Sequence, residues 1–226
     1  MNKITIPDIS DEKIDEKICI LGLGYVGLTL SAVMADVGHQ VFGIDHNNSL
    51  IQNLKIGKPH FHELGLEEML NKNFNSNFPI IYNNKLETPC ASVYIITVGT
   101  PIIKSSVEPN LDYVSKATLQ VAKVLRPGNF VILRSTVPVT TTRKIALPIL
   151  EKESGLKAGI DFDLAFCPER TIEGKALREL RELPQIIGAI NKNSAERASK
   201  LFLRSTKNII DVGSIEAAEM LKIMDN

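Results

Sequence analysis

No stretch of this chain is apolar for long enough to cross a bilayer. No excess of one sign of charge marks it for nucleic acid or an anionic membrane, because Lys and Arg number 26 and Asp and Glu also 26. The opening residues, MNKITIPDISDEKIDE, lack the apolar centre of a secretory signal and read as a polar lead-in over residues 1–16. Cysteine is scarce and odd in number. Cys19, Cys90 and Cys167 lie too far apart for a disulfide framework or a thiolate metal site, so a reducing cytoplasm is the expected compartment. His39, His46, His60 and His62 show no ligand spacing with a carboxylate or cysteine, and no metal is expected. Repeats and low-complexity tracts are missing too.

What is present is ordinary for a folded domain: 226 residues, 44% hydrophobic and 23% charged, enough to bury a core. Short apolar runs alternate with helical patterns, which predicts an α/β fold with a doubly wound, mostly parallel sheet. Strands are expected over residues 18–21, 41–44, 79–82, 93–98, 129–133, 162–166, 185–188 and 208–212. Helices are expected over 50–54, 62–72, 112–125, 194–203 and a stretch through 144–151, with Asp112 as a cap. The last segment, SIEAAEMLKIMDN, opens like a helix with a serine cap and early acids, and carries no stop signal.

The most informative segment is KICILGLGYVGLTLSAVMADVGHQVFGID. It places Gly22, Gly24 and Gly27 between an apolar strand and a helix of small residues. Gly22 permits a tight turn, Gly24 lets backbone approach a pyrophosphate, and Gly27 lets helix and strand pack closely. The helix N-terminus then aims free N–H groups and a positive dipole end at the phosphates. Asp45 ends the next strand, at the spacing for a carboxylate that binds a ribose diol. His46, Asn47 and Asn48 follow it without Arg or Lys, which favours NAD over NADP.

In open α/β sheets ligands sit beyond the carboxyl ends of strands. Beyond the glycine turn, three strand ends are therefore of interest: Gly99–Thr100–Pro101, Ser135 to Pro138, and Cys167 to Glu173. Ser135 and Thr136 offer hydroxyls, or simply cap the helix that follows. Glu169 and Glu173 share a face if their stretch is helical, as a base and a ligand, or as a solvated pair matched with Arg170 and Lys175. Lys222 and Asn226 repeat that spacing and on their own read as surface residues. Cys167 has no adjacent base and no helix N-terminus to activate it, so it reads as a small buried hydrophobe.

Together the segments GLGYVGL, IDHNNSLIQNLKIGKPHFHELGLEEML, ITVGTP, LRSTVPVTTTR, CPERTIEGKALRELRELPQIIG and EAAEMLKIMDN resemble the UDP-glucose/GDP-mannose dehydrogenase family, in the family's order. The CPER…G-x-A form is similar to the branch acting on UDP-N-acetylhexosamines such as UDP-N-acetylmannosamine. The resemblance implies a two-step oxidation of a sugar C6 alcohol to a carboxylate with two NAD⁺, in the synthesis of polysaccharide precursors. It implies that Gly22, Gly24, Tyr25, Val26, Gly27, Asp45, Thr100, Pro101, Ser135, Thr136 and Glu173 hold NAD, with Glu173 near the nicotinamide ribose. Glu169 is then a base toward water, Thr136 places that water, Lys222 stabilises an oxyanion, and Asn226 holds water or an oxyanion beside it.

The family's nucleophilic cysteine lies in a G-G-x-C motif, and no such motif occurs in this sequence. The resemblance therefore divides the chain into a lead-in (1–16), an NAD-binding Rossmann-like domain (17–212) and the start of a long connecting helix (213–226). The substrate domain is expected to be absent, through natural truncation or deliberate shortening. The parent is expected to be a cytoplasmic homodimer that takes a UDP-sugar and neither nucleic acid nor membrane. Two other readings stay open at this point: the N-terminal domain of a β-hydroxyacid dehydrogenase, and a non-catalytic NAD-binding module.

Overall fold

The computed structural model describes residues 16–74, 80–103 and 108–225. The lead-in apart from Glu16, Pro79, residues 104–107 of the loop after Pro101, and Asn226 lie outside the described residues.

The apolar runs become strands because both faces of each find a hydrophobic layer. In β1 (Ile18–Leu21), Ile18 and Ile20 pack into one layer while Cys19 and Leu21 pack into the other. β2 (Val41–Ile44) and β3 (Ile81–Asn83) extend the sheet on one side of β1. β4 (Val93–Ile96), β5 (Phe130–Leu133), β6 (Asp163–Phe166), β7 (Gln185–Ala189) and β8 (Ile209–Asp211) extend it on the other. The order is β3-β2-β1-β4-β5-β6-β7-β8, parallel from β3 to β6. β7 runs antiparallel to β6, and β8 parallel to β7. Both edge strands are only three residues long.

One apolar layer is made with α1 (Tyr25–Asp36), α2 (Asn48–Lys55), α3 (Leu66–Phe74), α6 (Ala176–Glu182) and α7 (Lys192–Leu203). The opposite layer uses α4 (Asp112–Val124), α5 (Leu147–Ser154) and α8 (Ile215–Met224). The chain leaves β1 toward β2 and β3, then crosses back to β4. The switch of direction therefore falls between β1 and β4, where such sheets open a crevice. Among the described residues no helix is long and apolar enough to cross a membrane.

Several local expectations are corrected. Residues 62–65 are not helical, with a turn at Leu64 and Gly65, and the helix expected from 62 begins at Leu66. Asp112 is the first helical residue and not a cap; the Asn110 side chain accepts its N–H at 2.9 Å. The helix after the threonine run opens with a π-helical turn, Thr142–Ala146, entered through Thr140 at φ 79°.

Candidate functional site

The β1–β4 crevice has a volume of about 530 Å³ and is lined by Gly22, Gly24, Asp45, Val98, Gly99 and Tyr113 among others. Gly22 turns the chain at φ 94° and donates its N–H to Ile44 O at 2.8 Å. Gly24 faces open space, with nothing within 4 Å of where a Cβ would stand. Gly27 is pressed against the Gly22 carbonyl, which seats α1 on the turn. Asp45 Oδ2 accepts the Leu23 N–H at 2.8 Å and Oδ1 accepts the Asn47 N–H at 2.9 Å. The exposed His46 Nδ1 also lies 3.5 Å from Oδ1, and Oδ2 keeps a lone pair free for a hydroxyl. Lys116 of α4 lines the same crevice, a cation that the run after Asp45 does not reveal.

Further along the edge, Thr97 Oγ1 donates to Gly22 O at 2.7 Å, tying the end of β4 to the glycine turn. Ser135 caps no helix, contrary to the simpler expectation; its buried hydroxyl donates to Val98 O at 2.6 Å and joins the ends of β5 and β4. Thr100 Oγ1 donates to Thr136 O at 2.6 Å, leaving the Thr136 side chain exposed. Pro101 is exposed and its carbonyl accepts the Asn110 N–H at 2.7 Å. Val26 is half-buried on the first turn of α1.

Residues 167–175 are not helical, so Glu169 and Glu173 share no helix face. Pro168 cannot donate a backbone bond, and the loop instead follows side-chain anchors. Arg134, buried at the end of β5, donates through Nη1 to Cys167 O at 2.9 Å and Gln185 Oε1 at 2.8 Å. Gln185 Nε2 in turn donates to Pro168 O at 3.0 Å. Burial pulls the Arg134 pKa below its ordinary value, with Glu169 and Cys167 acting against the shift. Cys167 is fully buried, and burial pushes its thiol up to about 12, as the reading of an inert hydrophobe requires.

Glu169 is brought against Lys222 of α8, Nζ to Oε2 3.9 Å, with both side chains 10% exposed. Glu169 also accepts the Thr171 N–H, and Arg170 pairs with Asp225. These contacts replace the expected matching with Arg170 and Lys175, and they place Lys222 in the interior, not on the surface. Glu173 is exposed. Asn226 lies outside the described residues.

Two acids escaped the sequence reading. Glu63 accepts the Tyr25 hydroxyl at 2.5 Å and the Gly174 N–H at 2.8 Å, so the start of α1 is bound to the loop carrying Glu169 and Glu173. Burial first, then the Glu63 contact, raises the Tyr25 pKa above its ordinary value. Glu219, fully buried on α8, accepts the N–H groups of Thr140 at 2.5 Å and Thr142 at 2.8 Å. Both acids lie within the segments that carry the resemblance, but no spacing rule marks them, because their partners are distant in sequence.

The family model for the NAD binding domain of the UDP-glucose/GDP-mannose dehydrogenase family matches residues 16–206. A UDP-N-acetyl-D-mannosamine dehydrogenase from Campylobacter jejuni is 36% identical over 93% of this chain and 52% of its own length. A UDP-D-ManNAc dehydrogenase structure from Pyrococcus horikoshii superposes with TM-score 0.87 at 32% identity, covering 92% of this chain and 49% of that one. The UDP-N-acetyl-mannosamine dehydrogenase of Staphylococcus aureus gives TM-score 0.86 at 31% identity, covering 93% and 50%. The chain spans about half the length of the curated relatives it matches.

Proposed function

The chain belongs to the UDP-glucose/GDP-mannose dehydrogenase family and carries its NAD-binding domain, and from that premise we propose that it is the coenzyme half of a nucleotide-sugar 6-dehydrogenase. The parent enzyme oxidises the C6 alcohol of a UDP-sugar to the carboxylate while two NAD⁺ are reduced, supplying polysaccharide precursors. A UDP-N-acetylhexosamine, UDP-N-acetylmannosamine foremost, is the substrate class; the CPER segment and the named relatives support it. The parent works as a cytoplasmic homodimer. Residues 17–212 form the coenzyme domain, and residues 213–226 begin the helix that leads to the substrate domain.

One observation carries this reading: the Asp45-lined crevice and the Glu169–Lys222 pair lie at the carboxyl edge of the parallel strands of one sheet. The residues fit a dinucleotide, since Gly24 leaves open space at the N-terminus of α1 and Asp45 keeps a free lone pair on an anchored carboxylate. NAD⁺, when bound, supplies the hydride acceptor. Asp45 takes the ribose diol, and Gly22, Gly24, Tyr25, Val26 and Gly27 present the turn that receives the pyrophosphate. Thr100, Pro101, Ser135 and Glu173 border the nicotinamide half. Glu169 removes a proton from the hydrolytic water, Thr136 positions that water, and Asn226 holds water or an oxyanion. Lys222, a cation in a site shielded from solvent, stabilises oxyanion charge.

Calorimetric titration with NAD⁺ and NADP⁺ tests the coenzyme claim. One NAD⁺ site is expected, with at least about tenfold preference over NADP⁺, or about 1.4 kcal/mol. No binding, or tighter NADP⁺, would overturn it. In a steady-state NADH assay with UDP-N-acetylmannosamine, this chain alone is expected to show no turnover, because its sequence holds no G-G-x-C nucleophile segment.

A further inference from the structure

At the end of the sheet opposite the crevice, two of the three thiols meet. Cys19 is the second residue of β1 and is fully buried; Cys90 lies just ahead of β4 and is half-buried. β1 and β4 are parallel neighbours, with Cys19 opposite Tyr94. The approach to β4 is tied to the approach to β1, since Lys17 O accepts the N–H groups of Ser92 and Val93, both at 3.0 Å. The two sulfurs are thus borne by backbone fixed on both sides. Both side chains pack into the same apolar layer, where the two thiols and the Tyr94 hydroxyl lie close enough to perturb one another.

We propose that Cys19 and Cys90 are a reversible dithiol–disulfide pair, with Cys90 the thiol that meets a hydroperoxide and Cys19 the one that resolves it. The division of labour follows from exposure and charge. The Cys19 contact and nearby Lys17 favour the Cys90 thiolate, although partial burial acts against it. The contact with Cys90 and burial hold Cys19 as a thiol. Cys167 is an internal control: fully buried, on a different strand end, and facing Arg134.

The chemistry is a two-electron oxidation by a hydroperoxide. The Cys90 thiolate attacks the outer peroxide oxygen, an S–O bond forms, the O–O bond breaks, and hydroxide leaves (alkoxide, for an organic peroxide, protonated by water). Cys19 sulfur then attacks the Cys90 sulfenic acid. The S–S bond forms, the S–O bond breaks, and the departing hydroxide takes the Cys19 proton to leave as water. An external dithiol restores both thiols by exchange. The bond closes a loop from Cys19 to Cys90, which contains the glycine turn and Asp45.

The test uses the 226-residue chain, hydrogen peroxide, alkylation and peptide mass mapping. Peroxide is expected to remove two alkylatable thiols, lower the mass by two hydrogens, and yield one peptide pair joining Cys19 to Cys90. Cys167 should stay alkylatable, and dithiothreitol should reverse the change. In Cys19→Ser, Cys90 should stop at the sulfenic acid and be captured by dimedone. Before oxidation, Cys90 should alkylate at least about tenfold faster than Cys167 in the native protein. Survival of all three thiols would sink the proposal, as would over-oxidation of Cys90 while Cys19 remains alkylatable. The wild-type map decides this even if the variant does not fold.

Discussion

A methyl group at position 27 has no room: its carbon would stand 1.8 Å from the Gly22 carbonyl oxygen and 2.6 Å from Thr97 Oγ1. Both neighbours are held, one by the turn and the other by its own hydrogen bonds to Leu21 and Gly22. Gly27→Ala is therefore expected to destabilise the fold by about 3 kcal/mol, read as a lowered urea midpoint. Asp45→Ala removes an acceptor whose other oxygen contacts only steady the turn, so its effect belongs to coenzyme affinity. A weakening of about 10- to 100-fold for NAD⁺ is expected by calorimetry. These residues were readable in the sequence because their jobs are fixed by neighbours in one strand–turn–helix unit. Glu63, Arg134, Gln185 and Glu219 were not, because each acts on partners far along the chain; Glu219 and Thr140 are 79 residues apart.

At the scale of elements, α8 holds the site from outside the strand-end loops. Glu219 fastens the entrance of the π-helical turn, where Thr140 sits in the left-handed region, and Lys222, one turn on, reaches Glu169. Glu219→Gln keeps the shape but turns an amide NH₂ toward a backbone donor, at a cost of about 1–3 kcal/mol. Amide exchange at Thr140 and Thr142 should accelerate more than exchange in β5. Equal acceleration in both would show that Glu219 has no local role. Apolar runs and helical periods revealed the elements well, since burial on two faces is written into short stretches. The loop of residues 167–175 defeated that approach: spacing suggested one helical face, whereas Arg134, Gln185, Glu63 and α8 hold the chain in a non-helical loop that turns at Gly174.

For the molecule as a whole, one buried imidazole sets an acid limit. His39 sits between α1 and β2, its Nδ1 3.0 Å from Glu16 O. Burial holds its pKa below the ordinary 6.5, and the Glu16 contact opposes this only in part. The unfolded chain therefore takes up the proton first. The stability His39 lends is full above pH 6.5 and is lost as pH falls through its folded-state value. Urea midpoints measured from about pH 7.5 to about pH 5 should fall, and His39→Gln should flatten that slope. An unchanged slope would place the acid sensitivity elsewhere.

The three-residue edge strands have a consequence of their own. A sheet rim tempts stray chains in proportion to the run of vacant amides and carbonyls it displays. Here both rims are short, so lateral recruitment into fibrils has little template at either border. Copies that do come together are steered toward helical surfaces, and α8 shows the apolar side chains for it in Met220, Ile223 and Met224.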